Sequence, residues 1–221
     1  MGIKPGDWDI TTSALPEQTK ELFKDYKTVD TGIKHGTLTV IINHMPFEVT
    51  TYRIDGEYGD NRHPESVEFT QSLENDLARR DFTINALAYN PSEGLVDLYG
   101  GQAHIYNSII ETVGNADLRF QEDGLRIMRA LRFSAVLGFS IEEKTAEAIH
   151  RNKELLKNIS AERLAVELTK LICGKNVFNV LMEYGDVLSV FIPEIAPAIG
   201  FKQYGKKHAY DVWEHICHTV D

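Results

Sequence analysis

The sequence predicts an α/β front followed by an all-helical region, on three observations. Residues 1–113 alternate short runs rich in β-branched and aromatic residues, "WDITT", "TLTVII" and "PFEVTTYR", with segments that carry helix starts and stops. After Asn115, apolar residues recur at helical spacing through four successive stretches. The composition, 43% hydrophobic and 25% charged, is ordinary for a globular chain, and 221 residues suffice for one large domain or two smaller ones.

The elements follow in chain order. Trp8–Thr12 reads as a short strand, after which Ser13 serves as N-cap and Pro16 and Glu17 open a helix. "TLTVII" and "PFEVTTYR" form a β-hairpin around "NHMP". Residues 54–69, polar and punctuated by Gly and Pro, read as a long loop. "SLENDLARRDFTINALAYN" reads as one helix, capped by Ser72 and ended by Asn90-Pro91. "GLVDLYGGQAHIYNSIIETVG" reads as short strands around a Gly100-Gly101 turn. The helical stretches then run over residues 117–139, 142–159, 161–174 and 176–192, the third starting from Ser160. No internal repeat and no low-complexity segment interrupts them.

Several classes are excluded. No apolar run of about 18 residues exists to cross a membrane, and "MGIKPGDWD" lacks the apolar core of a signal peptide. Two distant cysteines, Cys173 and Cys217, make neither a disulfide framework nor a cysteine-based zinc site, which predicts a reducing, cytoplasmic setting. A net charge of −10 argues against indiscriminate nucleic-acid binding. The charge is uneven, however: residues 1–150 hold 14 Lys and Arg against 24 Asp and Glu, whereas residues 151–207 hold 9 against 6. That pattern fits a metal-rich front and a region that touches phosphates, or a chance asymmetry.

Asp7 and Asp9 flank Trp8 in a segment of strand character. In a strand they share a face. Two such anions call for a cation, and hard Mg²⁺ takes one or two carboxylates plus phosphate oxygens; the alternative is a loop with Asp9 solvated. Glu48 interrupts an apolar strand. It either joins the two aspartates as a third carboxylate or faces solvent from an edge strand. In "ARRDFTIN", Arg79 and Arg80 suit phosphate oxygens, and Asp81 either accepts from a ribose hydroxyl or pairs with an arginine; the alternative is a solvated helix face. In "EDGLRIMRALRF", Asp123 and Arg126 stand three apart with Arg129 following. They can meet to read a nucleobase edge or form a simple ion pair. In the last stretch, Asp211, Glu214, His215 and His218 have helical spacing, better read as a packed helix than as a metal site.

"GDWDITTSALPEQ", "HGTLTV", "FEVTTYR", "DLARRDFTINALAYN" and "EDGLRIMRALRF", in that order, resemble the class II tRNA nucleotidyltransferases, which include CCA-adding enzymes and bacterial poly(A) polymerases. The resemblance covers roughly residues 1–200. It implies a nucleotidyltransferase head with a mixed sheet (1–113), a helical neck that binds nucleobase and RNA (114–174), and a helical body (175–221) ending in the first helix of a truncated HD-like domain. It implies that Asp7 and Asp9 bind Mg²⁺, with Glu48 as third carboxylate. Arg79, Arg80 and Asp81 would contact triphosphate and ribose, with Asn85 and Arg129 in the same nucleotide-binding set. Asp123 and Arg126 would select CTP and ATP by their base edges. The implied activity is CCA addition to tRNA 3′ ends, the long loop after residue 54 being associated with A-addition. A-only addition is the alternative. The family's "GGxVRD" stretch does not precede the D-x-D pair, and the His-Asp pair of an HD site does not follow, so the chain is expected to be cut at both ends. Two other classes stay open: a non-catalytic nucleotide- or RNA-binding fragment, on the missing "GGxVRD" stretch, and an HD-type phosphohydrolase, suggested by "DVWEHICH" and opposed by the absent His-Asp pair.

Overall fold

The computed structural model describes residues 8–56, 66–204 and 209–220, which fall into two compact units. One comprises the described residues up to Arg79, the other those from Arg80 onward.

The first unit is built on a four-stranded mixed sheet. Its elements are β1 (Asp9–Thr12), α1 (Pro16–Leu22), β2 (Lys27–Gly32), β3 (Thr37–Ile42), β4 (Met45–Thr51), β5 (Arg53–Asp55), β6 (Val67–Phe69) and α2 (Leu73–Ala78). The strand order is β1-β4-β3-β2, with β1 and β4 parallel and the other pairs antiparallel. Alternation along the strands divides the residues between two faces. Leu38, Val40 and Val49 lie on one face, packed with Phe23 and Ile42 into a small core, and α1 lies on β3 and β4. The other face is mainly polar and carries Asp9, Thr11, Thr39, Glu48 and Thr50, with Ile41 and Pro46 at one end.

Three expectations for this unit are corrected. Helix α1 is capped at Leu15, not Ser13: Pro16 sets the first helical φ, and Gln18 Oε1 accepts from the Leu15 N–H at 2.8 Å. Strand β2 is an unpredicted partner of β3. The long loop has paired ends, since β5 and β6 form an antiparallel ladder. The hairpin stands, closed by the two-residue turn Asn43–His44 with φ of 51° and 66°, the geometry that suits the twist of its strands.

The second unit contains β7 (Leu87–Asn90), β8 (Gly94–Asp97), α3 (Gly101–Asn107), β9 (Ile109–Ile110), α4 (Ala116–Glu122), α5 (Leu125–Leu137), β10 (Ser140–Ile141), α6 (Glu143–Asn152), α7 (Ala161–Ile172), α8 (Val177–Leu188) and α9 (Val212–Val220). Its core centres on α5, whose Ile127, Met128, Ala130 and Leu131 are fully buried beside Phe82, Phe120, Leu156 and Leu171. Helix α5 packs against α7 and α8, and α9 packs on α8 through Trp213 and Cys217.

The expected helix over residues 72–90 is much shorter. It ends at Arg79; Phe82 then bridges Thr112, and residues 81–83 exchange backbone hydrogen bonds with residues 111–113. The aromatic and β-branched "FTI" suits that extended pairing better than a helix. Arg79 is therefore a C-cap, and Arg80 stands outside the helix. The stretch over 117–139 is two helices, because Asp123 is extended (φ −142°, ψ 105°). At Gly124 a Cβ would meet Leu155 Cβ at 3.1 Å and its carbonyl oxygen at 3.2 Å.

Candidate functional site

In the first unit, the parallel β1–β4 ladder pairs Asp9 with Glu48, while Thr39 of β3 pairs with Glu48 from the other side. Glu48 therefore sits on an interior strand, and of its two readings the convergent one gains its geometric condition. Neighbouring strands lie roughly 4.8 Å apart, so two exposed carboxylates stand side by side. Neither has a hydrogen-bond or ion-pair partner among the described residues. Like charges directly opposite are destabilising, and hard oxygen donors in this arrangement suit a divalent cation. Asp7, the expected third donor, lies outside the described residues. Among the described residues no group of three or more His, Cys, Asp or Glu could hold a metal. The pair is thus two donors of a possible set.

Arg79, expected at the triphosphate, is bound inside the first unit. Its Nε and Nη2 donate to Asp76 Oδ1 at 3.0 and 2.7 Å, and its Nη1 lies 3.6 Å from Asp55 Oδ2. Arg53 Nε lies 2.9 Å from Asp55 Oδ1, and the Arg53 N–H donates to Asp76 Oδ1 at 3.3 Å. Asp76 is fully buried, so the Arg79 guanidinium and the Arg53 backbone N–H supply the compensation a buried carboxylate needs. Asp76 was legible at three residues from Arg79; Asp55 was not, because strand pairing brings it there.

In the second unit two motifs meet. Arg129 donates to Asp81 Oδ2 through Nε at 2.7 Å, and its Nη2 lies 2.6 Å from the same oxygen. Asp81 Oδ1 accepts from the Phe82 N–H at 2.8 Å and from Asn85 Nδ2 at 3.0 Å. A carboxylate has about four lone-pair sites, and all are used. Of the two readings of Asp81, the arginine partner is the one observed, and that arginine lies 48 residues away. Burial pushes the Asp81 carboxyl up, but Arg129 and the Asn85 and Phe82 hydrogen bonds outweigh it and hold it below the usual carboxylate range.

Asp123 and Arg126 do not share a helix, and each has a different partner. Asp123 Oδ2 takes Arg163 Nη2 at 2.9 Å, while Oδ1 accepts from the Leu125 N–H at 3.0 Å. Arg126 Nη1 donates to Glu122 Oε2 at 2.5 Å, and Glu122 also holds Arg119 at 2.7 Å. Glu122 and Arg163 are the residues sequence reasoning missed. Glu122 carried a signal, four residues before Arg126; Arg163, on α7, carried none. Arg80 is partly buried. The C-terminal carboxylates and histidines form no metal group among the described residues; the His218 ring is stacked on Phe178 and tilted against Tyr210, with ring centroids 4.4 Å apart in each case.

A sheet face with paired carboxylates and a helical unit with arginines held by carboxylates define the class. The chain belongs to the poly(A) polymerase head-domain family: the family described as "Poly A polymerase head domain" matches residues 1–111, and "Probable RNA and SrmB- binding site of polymerase A" matches residues 138–199. The particular relatives are CCA-adding enzymes. That of Geobacillus kaustophilus is 44% identical over 229 residues, spanning all of this chain and 56% of the relative. The crystal structure of the Bacillus stearothermophilus CCA-adding enzyme in complex with CTP superposes with a TM-score of 0.75 at 44% identity, over 84% of this chain and 44% of that one. A tRNA nucleotidyltransferase complexed with a primer tRNA and an incoming ATP analog gives a TM-score of 0.68 at 28% identity, over 93% of this chain and 57% of that one. The chain spans just over half the length of the first relatives it matches. No helix among the described residues is long and apolar enough to cross a membrane.

Proposed function

We propose that the whole protein is a cytoplasmic, template-independent nucleotidyltransferase that adds CCA to tRNA 3′ ends from CTP and ATP. The observation that carries this reading is the in-register pairing of Asp9 with Glu48 on the polar sheet face. The tRNA 3′-hydroxyl attacks the α-phosphate in line and pyrophosphate leaves, a reaction in which a protein mainly positions groups and neutralises charge. Asp7, Asp9 and Glu48 would hold Mg²⁺, which when bound supplies charge neutralisation at the triphosphate and eases ionisation of the attacking hydroxyl.

The remaining roles fall to the chain's own groups. Asp81 holds the Nε–Nη2 edge of the Arg129 guanidinium and so aims the remaining N–H groups, while Arg79 and Arg80 supply further cations for phosphate oxygens. Asp123, steadied by Arg163, offers an acceptor to a base edge, and Arg126, steadied by Glu122, offers donors. The domain division at residues 113 and 174 belongs to this proposal; the compact units themselves divide at Arg79 and Arg80. Replacing both Asp9 and Glu48 by Ala tests the reading. Loss of CTP incorporation with unchanged tRNA affinity is expected, and retained incorporation overturns the carboxylate assignment.

A further inference from the structure

The second unit contains a chain of polar contacts outside the groups assigned above, one of them a hydrogen bond and the other at ion-pair distance. Thr83 Oγ1 lies 2.7 Å from His104 Nδ1, and His104 Nε2 lies 3.2 Å from Glu111 Oε2. Thr83 is 3% exposed, and His104 is its hydroxyl's only hydrogen-bond partner among the described residues. The Thr83 N–H also donates to the Glu111 carbonyl at 2.9 Å. Helix α3 comes so close here that a Cβ on Gly101 would lie 2.3 Å from the Thr83 carbonyl oxygen.

Thr83 opens the single 3₁₀ turn that ends at Asn85. Asn85 in turn donates to Asp81, which grips Arg129. We propose that His104 is a positioning residue for nucleotide binding: it ties Thr83 to Glu111 and thereby fixes the turn that carries Asn85, Asp81 and, through them, Arg129. This rests on the reading of Arg129 as a nucleotide-binding group.

The chemistry selects one tautomer. Nε2 faces a carboxylate oxygen, so it must carry a hydrogen; a lone pair there would face an anion. With that hydrogen on Nε2, Nδ1 is bare and accepts the Thr83 hydroxyl hydrogen. Glu111 is the charged group at ion-pair distance from His104; α3 itself and the Thr83–Asn85 turn contribute none.

The test compares CTP affinity, by calorimetry on the whole protein, for Thr83→Val, Thr83→Ser, His104→Gln and Arg129→Met. Thr83→Val keeps the shape and removes the hydroxyl, so it remains informative if a His104 variant fails to fold. A loss of about fivefold or more is expected in Thr83→Val and His104→Gln, with Thr83→Ser restoring binding, as for a removed buried hydrogen bond. Affinities within about twofold of the parent in both variants, while Arg129→Met abolishes binding, would overturn the proposal and leave the functional reading intact. CTP binding indifferent to Arg129→Met would instead overturn the functional reading. The chain itself is then decided by the ¹⁵N shifts of His104. An Nε2–H tautomer that becomes mixed in Thr83→Val supports it, and an Nδ1–H tautomer refutes it.

Discussion

Removing the Arg129 guanidinium should expose how strongly the second unit depends on one ion pair. Arg129→Met keeps most of the side-chain volume and leaves the Asp81 carboxylate, 8% exposed, with only the Phe82 N–H and Asn85 as partners. Stranding a buried charge this way costs about 3–5 kcal/mol. The Arg129 side chain is 34% exposed, so solvent screening trims the expected loss to about 2–3 kcal/mol. The sign of the pH dependence follows from the depressed Asp81 carboxyl. In the parent, the pair's stabilisation is fully present above the unfolded-state carboxyl range and fades as pH falls through the folded-state value. In Arg129→Met that carboxyl moves up, so the variant folds best with Asp81 protonated and loses stability as pH rises. Urea unfolding of parent and variant at acid and neutral pH should show a gap that widens toward neutrality. A gap under about 0.5 kcal/mol, or one that does not change with pH, would refute the pairing as the main support of Asp81.

Three further outcomes follow from the same geometry. Asp9→Asn or Glu48→Gln should slightly raise thermal stability without Mg²⁺, by removing like-charge repulsion worth up to about 1 kcal/mol, and should abolish any stabilisation by added Mg²⁺; equal Mg²⁺ shifts in parent and variants would count against the site. Arg163→Met, which releases Asp123, should alter the ratio of CTP to ATP incorporation more than it alters tRNA affinity, and an unchanged ratio would remove Arg163 from base selection. Gly124→Ala should cost about 1–3 kcal/mol by forcing Leu155 aside, measurable as a lower urea midpoint.

What the sequence made legible is local. Period-2 runs placed the hairpin, and helical spacing placed the helices after Asn115. The D-x-D pair and Glu48 flagged carboxylates out of character for strands, and the β1–β4 pairing explains why Glu48 is tolerated: its face is the polar one. What was not legible is whatever depends on pairing across the chain. "RRDFTIN" carries helix-like spacing, yet its backbone pairs with residues 111–113, and no local propensity announces that partner. The Asp123–Arg126 spacing suggested one helix face, but the extended backbone at Asp123 broke the helix and handed each residue to a different partner. His104 and Glu111 carry no motif, and nothing within "ARRDFTIN" singles out Thr83; only the approach of α3 brings the three together.

CCA addition is tested most directly by supplying the whole protein with tRNA lacking its 3′ CCA, Mg²⁺, CTP and ATP, and sequencing the extended ends. Ordered incorporation of C, C and then A, lost in the Asp9→Ala/Glu48→Ala variant, is the predicted result. Runs of A without preceding C would instead identify a poly(A) polymerase, and no extension of any RNA would leave a nucleotide-binding protein without this chemistry.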